Sequence, residues 1–255
     1  METFFSLLSP SVWAFACVIA VLGGLVKGVV GFAMPTVIIS GLSSIISPEL
    51  ALAGLILPTL VTNVTQALRQ GIGPAWRSAL RFRVYLVVGA VALLISAQLV
   101  PVLPTPVLFG VIGGAVTLFV VMQIAVLRLT LRRQRVDVEA GVGAVAGALG
   151  GVSGMWGPPT VLYLTALDTE KAEQMRVQGV IYGLGSVALV AAHMSSGVLR
   201  AETLPLSLVL IAPALLGQWL GGKVLDRIDQ TRFKRITLVF LLVVGLNLIR
   251  RAVVG

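Results

Sequence analysis

The chain writes one short stretch twice. The first copy is Gly24-Leu25-Val26-Lys27-Gly28-Val29-Val30-Gly31-Phe32-Ala33-Met34-Pro35-Thr36. The second is Gly147-Ala148-Leu149-Gly150-Gly151-Val152-Ser153-Gly154-Met155-Trp156-Gly157-Pro158-Pro159-Thr160. Both follow G-x3-G-x2-G-x3-P with a threonine just beyond, and both lie inside apolar runs. A proline suits the first turn of a helix, where its missing N–H costs nothing, so Pro35 and Pro158 read as the starts of half-helices. Such an N-terminus carries about half a positive charge and several free N–H groups. Gly28, Gly31, Gly151 and Gly154 would let a ligand approach the backbone there, which makes an anion site. In lipid a broken backbone persists only where protein or a polar cavity covers it. The plainer reading is that these glycines let helices pack closely.

Side chains near the two breaks add chemistry. Lys27 is the one basic residue in the interior of a predicted segment, the others standing at segment ends or between segments. A charge there costs about 2.5–3.5 kcal/mol on insertion scales, which makes it a functional candidate, with snorkelling to an interface as the alternative. Thr36, Ser153 and Thr160 offer hydroxyls at the two tips, unless they bond back to their own helices. Asn63 and Gln66 lie one turn apart on one helix face and either line the site or bond across helices. Trp156 walls the second tip or packs there, and Phe32 at the first tip brings no donor. His193 falls near the outer end of its span, where it either carries a proton or is an interfacial polar residue. No Asp or Glu falls in the interior of a predicted span, since Glu49 and Glu139 stand at the very ends of theirs, which argues against a proton relay. An anion leaving a cell with a negative interior moves downhill by about 2.3 kcal/mol per charge per 100 mV, so export needs no co-ion.

Composition sets the elements that must hold these groups. Mean hydropathy is +1.02, with 57% hydrophobic and 11% charged residues, which is a polytopic membrane protein. Cys17 is the single cysteine and His193 the single histidine, so no disulfide framework, metal centre or other cofactor is expected. In a soluble chain the net charge of +9 would suggest nucleic acid. Here the basic residues sit between apolar runs, where the positive-inside rule accounts for them, and no nucleic-acid partner is expected. The first residues lack the basic n-region of a signal peptide and read as the start of the first membrane segment.

Eight apolar segments are legible. Residues 11–46 and 139–167 are the two broken stretches; 48–69, 80–100, 105–127, 177–197, 204–222 and 234–251 are each about one bilayer long. Repeat one is 11–127, repeat two 139–251 and the link 128–138, all in one integral domain. Basic residues cluster at Arg69–Arg83, Arg128–Arg135, Lys171–Arg176 and Lys223–Arg235. If each broken stretch is re-entrant, these clusters face one side, and only Arg200, Arg250 and Arg251 face the other. If each crosses once, the Arg128–Arg135 and Lys223–Arg235 clusters fall on opposite sides. The positive-inside rule favours the first arrangement. The fold expected is therefore an all-α polytopic membrane protein of two inverted repeats with its N-terminus outside. A Ser153–His193 nucleophile pair is disfavoured because His193 is placed near the membrane edge, so no enzymatic activity is expected.

The two Gly-rich breaks, Pro158-Pro159-Thr160-Val161-Leu162-Tyr163, and Ala212-Pro213-Ala214-Leu215-Leu216-Gly217-Gln218-Trp219-Leu220-Gly221-Gly222 before a basic loop and final span resemble the sulfite exporter TauE/SafE family of bacterial membrane permeases. Lys27 stands where a small residue is expected in such a break. The resemblance implies a secondary transporter of the bacterial cytoplasmic (inner) membrane that moves sulfite-like anions or organosulfonates, mostly outward. A gated anion channel and a proton-coupled uptake permease are the alternatives. The expected partners are a small anion and the lipid bilayer, with the oligomeric state open and a homodimer among the choices.

Overall fold

The computed structural model describes residues 8–125, 131, 133–154, 156–167, 169, 171–224 and 230–254. The described elements are all helical. In the first half they are α1 (Pro10–Val30), α2 (Met34–Leu42), α3 (Pro48–Leu68), α4 (Ile72–Arg81), α5 (Arg83–Ala97), a 3-10 turn (Val100–Val102) and α6 (Thr105–Ala125). In the second half they are α7 (Val136–Ser153), α8 (Gly157–Ala166), α9 (Lys171–Ser195), α10 (Leu204–Val209), α11 (Ile211–Val224) and α12 (Gln230–Val254).

Each Gly-Pro stretch forms a helical hairpin. α1 stops at Gly31, whose φ of 82° is left-handed and whose N–H donates to Lys27 O at 2.7 Å. α7 stops the same way at Gly154, φ 68°, with its N–H on Gly150 O at 2.7 Å. A left-handed residue after the last turn closes a helix and favours glycine. Pro35 then falls in the first turn of α2, and Gly157-Pro158-Pro159 opens α8, as the sequence predicts. α2 folds back along α1, since Gly23 faces Met34 and Ile38 while Gly41 faces Ile19. α8 likewise returns beside α7.

Glycines also set the long contacts. α1 lies parallel to α11, where a Cβ on Gly28 would sit 2.9 Å from Gly221 Cα. α7 lies parallel to α5, where a Cβ on Gly147 would sit 2.9 Å from Gly89 Cα. In contrast, α3 and α9 run antiparallel: Gly179 faces Ala67 and Gly183 faces Asn63. α6 and α12 are antiparallel too, with Gly113 against Ile249 and Gly245 against Thr117. α1 of the first half thus packs on α11 of the second and α5 of the first on α7 of the second, while α3 pairs with α9 and α6 with α12.

Among the described residues five stretches have the length and apolarity to cross a membrane: Pro10–Val29, Pro48–Leu68, Arg83–Val102, Arg176–Ser195 and Leu204–Lys223. Their outward faces carry residues such as Val18, Val87, Ile95, Val187 and Leu216, all exposed. An apolar outer surface over apolar helices of spanning length is that of a multi-pass membrane protein.

Polar contacts gather at the two ends. At one end Arg81 pairs with Glu173 at 2.5 Å, Arg176 donates to Ser78 at 3.1 Å, and Gln134 donates to Arg81 O at 3.1 Å. At the other, Arg200 meets Glu49 at 3.3 Å and Arg251 donates to Ser43 O.

Three details differ from the sequence expectation. Residues 70–79, expected to connect two spans, hold most of α4. The span expected at 204–222 breaks at Leu210 into α10 and α11, because Pro213 has no N–H for Val209 O. In α3, Pro58 interrupts the ladder, and the neighbouring Leu57 N–H donates across to Ser207 Oγ of α10 at 3.0 Å. Residues 128–130 and 132 of the expected link, and 126–127 at the end of the span expected before it, lie outside the described residues.

Candidate functional site

Lys27 occupies the last turn of α1 and is 2% exposed. Its Nζ donates to Thr62 Oγ1 at 3.1 Å and to Asn63 Oδ1. The Thr62 hydroxyl gives its own proton to Pro58 O at 2.7 Å, which leaves its oxygen free to accept. The Asn63 amide is oriented by α9, since Nδ2 donates to Tyr182 O at 3.0 Å. Among the described residues no carboxylate pairs with Lys27. The ammonium therefore has three N–H groups and two neutral acceptors. A buried cation without a counter-charge is expensive to keep in a membrane interior.

A cavity adjoins it. From the first half Lys27, Phe32, Ala33, Pro35, Thr36 and Asn63 line it; from the second, Gly154, Trp156, Gly157 and Tyr182. Its room for water centres is about 20 Å³, enough for roughly one water. The first turns of α2 and α8 both open on it, so two helix N-termini with their positive ends share one small space. Ala33 takes φ 73°, the one non-glycine residue with positive φ among those described. Such a conformation costs on the order of 1–3 kcal/mol and clusters at functional sites.

The hairpins meet here because the tips pass one another inside the bundle. A Cβ on Gly157 would lie 3.5 Å from Phe32 Cδ2, and one on Gly154 would lie 2.9 Å from Leu55 Cδ1. Trp156 lies over α7, where a Cβ on Gly150 would be 2.6 Å from its ring, and its other side faces Tyr182 with centroids 6.4 Å apart.

Of the residues singled out from sequence, the structure gathers Lys27, Phe32, Pro35, Thr36, Asn63, Gly154 and Trp156 around one cavity. Others lie elsewhere. Gly28 packs on α11, and Gly151 packs on Leu93 and Ser96 of α5. Gly31 shapes the first tip as its left-handed cap. Thr160 is not among the lining residues; it donates to Trp156 O at 2.7 Å and meets Tyr85 Oη at 2.5 Å, so its hydroxyl is already bonded. Gln66 is not among the lining residues, and its amide atoms are buried without a hydrogen-bond partner. Ser153 ends α7 and Pro158 lies in the first turn of α8; their side chains are outside the described set.

His193 lies in the last turn of α9 and is fully buried within the protein. The chain after α9 folds over it, with Leu199 N–H on His193 O at 2.8 Å and Nδ1 3.3 Å from Ser196 Oγ. It does not reach the cavity lining. Glu139, at the edge of the second broken stretch, is a buried carboxylate in the first turn of α7. It accepts Tyr85 N–H at 3.0 Å and Gln134 Nε2 at 2.6 Å, which caps α5.

Three lining residues were missed. Tyr182 had a signal, because a hydroxyl in an apolar span needs a partner. Gly157 was inside the repeated stretch but not at a repeated position. Ala33 had none, since alanine is not a residue that marks a left-handed turn.

Apolar helices of spanning length around a buried cation and two hairpin tips define a multi-pass membrane protein with a polar site in its interior. The family model of the sulfite exporter TauE/SafE matches residues 16–248, most of the chain. The chain belongs to this family, one of membrane transporters rather than enzymes. No match is found among curated proteins or among solved structures.

Proposed function

We propose that this protein is a secondary carrier for small sulfur-containing anions, sulfite or an organosulfonate, bound between the two hairpin tips. The observation that carries the reading is Lys27: a buried ammonium with neutral partners only, beside a cavity on which two helix N-termini open. A pyramidal or tetrahedral oxyanion has only acceptor oxygens. It would take the third Lys27 proton, the Thr36 hydroxyl and free N–H groups of the α2 first turn. Its charge would also offset the cost of the buried cation.

Inverted repeats are part of the reading. A two-fold axis along helices relates parallel partners; an axis across them relates antiparallel ones. The antiparallel α3–α9 and α6–α12 pairs support the second case, together with the exchange of α1–α11 for α5–α7. The re-entrant hairpins give each half an odd number of crossings, which inversion requires. Arg81, Gln134, Glu173 and Arg176 at one end then mark the cytoplasmic side of an inner-membrane protein.

Room for about one water agrees better with an occluded carrier than with an open channel. Outward movement is driven by the membrane potential alone. The position of His193 away from the cavity and the capping role of Glu139 both favour transport without a proton relay. The test is uptake and counterflow in proteoliposomes over sulfite, sulfate, thiosulfate, sulfoacetate, taurine and carboxylate analogues. Saturable flux of a sulfur anion with counterflow supports the carrier; non-saturable flux without counterflow supports the channel.

A further inference from the structure

The short helix α4 is built inside out. Toward the bundle it is polar: Ser78 is 4% exposed and accepts from Arg176 of α9 at 3.1 Å, and Arg81 pairs with Glu173 at 2.5 Å. Away from the bundle it carries Ile72, Trp76 and Leu80, which are 76%, 64% and 52% exposed. Their four-residue spacing makes one continuous stripe. Exposed Arg69, Arg77 and Arg83 flank the stripe, and no acidic residue occurs between 69 and 83. Among the described residues no carboxylate lies within ion-pair distance of these three arginines. Ten residues reach about 15 Å, half of a hydrocarbon core, so α4 cannot span. Residues 69–71 tie it directly to the end of α3.

In water such a stripe would be an aggregation liability. At a membrane surface the same residues fit: apolar side chains sink to the acyl boundary, tryptophan sits at headgroup level, and arginines meet phosphates in bidentate pairs. α10, toward the opposite end, also turns Leu204 and Leu208 outward, but 204–209 holds no basic residue. Arg200, just before α10, pairs with Glu49 and Glu202, so of the two short helices only α4 is flanked by arginines free of carboxylates among the described residues.

We propose that α4 lies flat in the membrane interface and binds acidic phospholipid. Arg69, Arg77 and Arg83 take the headgroup phosphates, and Ile72, Trp76 and Leu80 rest on the acyl chains. The surface is separate from the cavity between the hairpin tips.

The test uses the full chain with Cys17→Ala and spin labels at Ile72→Cys, Trp76→Cys and, as a control, Gln70→Cys. The labelled proteins are placed in phosphatidylcholine vesicles with and without phosphatidylglycerol. Labels at 72 and 76 should be open to oxygen and closed to a water-soluble nickel chelate, with the reverse at 70. Native mass spectrometry of wild type should show phosphatidylglycerol retained over phosphatidylcholine. Arg69→Gln/Arg77→Gln/Arg83→Gln should lose that preference at least fivefold with an unchanged melting temperature, since all three side chains are exposed. Labels at 72 and 76 open to the nickel chelate, or shielded from both reagents as under a protein partner or a second copy, would overturn the proposal. So would an unchanged preference for phosphatidylglycerol in the triple variant.

Discussion

Lys27 and Asn63 hold each other across α1 and α3, ammonium to amide oxygen, while the other end of the same amide reaches Tyr182 O of α9 at 3.0 Å. One neutral side chain thus ties a buried cation in the first half to the backbone of the second. Asparagine suits this place because it offers an acceptor without a charge that would compete for the cation.

That relationship predicts the effect of adding a charge. Asn63→Asp places a fixed carboxylate against Lys27, forms an internal ion pair and removes the vacant electrostatic demand that the anion would fill. It also loses the N–H to Tyr182 O. Anion binding should weaken at least tenfold, equal to about 1.4 kcal/mol, in a protein that still folds. Calorimetric titration of the purified variant checks it; unchanged affinity would separate the Lys27–Asn63 pair from the binding site.

The second tip gives a different test. Gly154 holds φ 68° with Leu55 closing on it from α3. Gly154→Val adds both backbone strain and a clash, so flux should be abolished while the protein still inserts in the membrane. Flux at wild-type rate in proteoliposomes would mean that this tip is not at the site.

Thr160 should behave in the opposite way. Its hydroxyl sits 2.5 Å from buried Tyr85 Oη, so Thr160→Val leaves that phenol without its partner. The expected cost is about 1–3 kcal/mol of stability, seen as a lower melting temperature, with anion affinity unchanged. A large loss of affinity at constant stability would return Thr160 to the binding site.

The topology is open to labelling. Single cysteines in 128–135 and 223–235, with Cys17 replaced, should both resist an impermeant reagent applied from outside, while one beside Arg200 reacts. Reaction at only one of the two basic loops would refute the inverted arrangement.

The tips were legible in sequence because glycines and a proline inside an apolar run conflict with a lipid-exposed helix, and only a covered break resolves the conflict. Lys27 was legible for the same reason: a lone charge in a span. For Gly28 and Gly151 the sequence leaves ligand approach and helix packing both open; each is the second glycine of a G-x3-G pair and packs against a neighbouring helix. The buried place of His193 was hidden because it depends on how 196–199 fold back, a tertiary event without a local signal. α4 was missed because its stripe of 72, 76 and 80 is interrupted by Gly73, Pro74 and arginines, which read as a loop.

The most direct test of the account is the isotherm for sulfite on purified wild type and Lys27→Met. Methionine keeps much of the stem and removes the ammonium, and the packing around α1 should tolerate it. Binding to Lys27→Met should be at least tenfold weaker, about 1.4 kcal/mol, with little loss of folded protein. Equal affinity in the two proteins would contradict it and leave Lys27 as a packing residue.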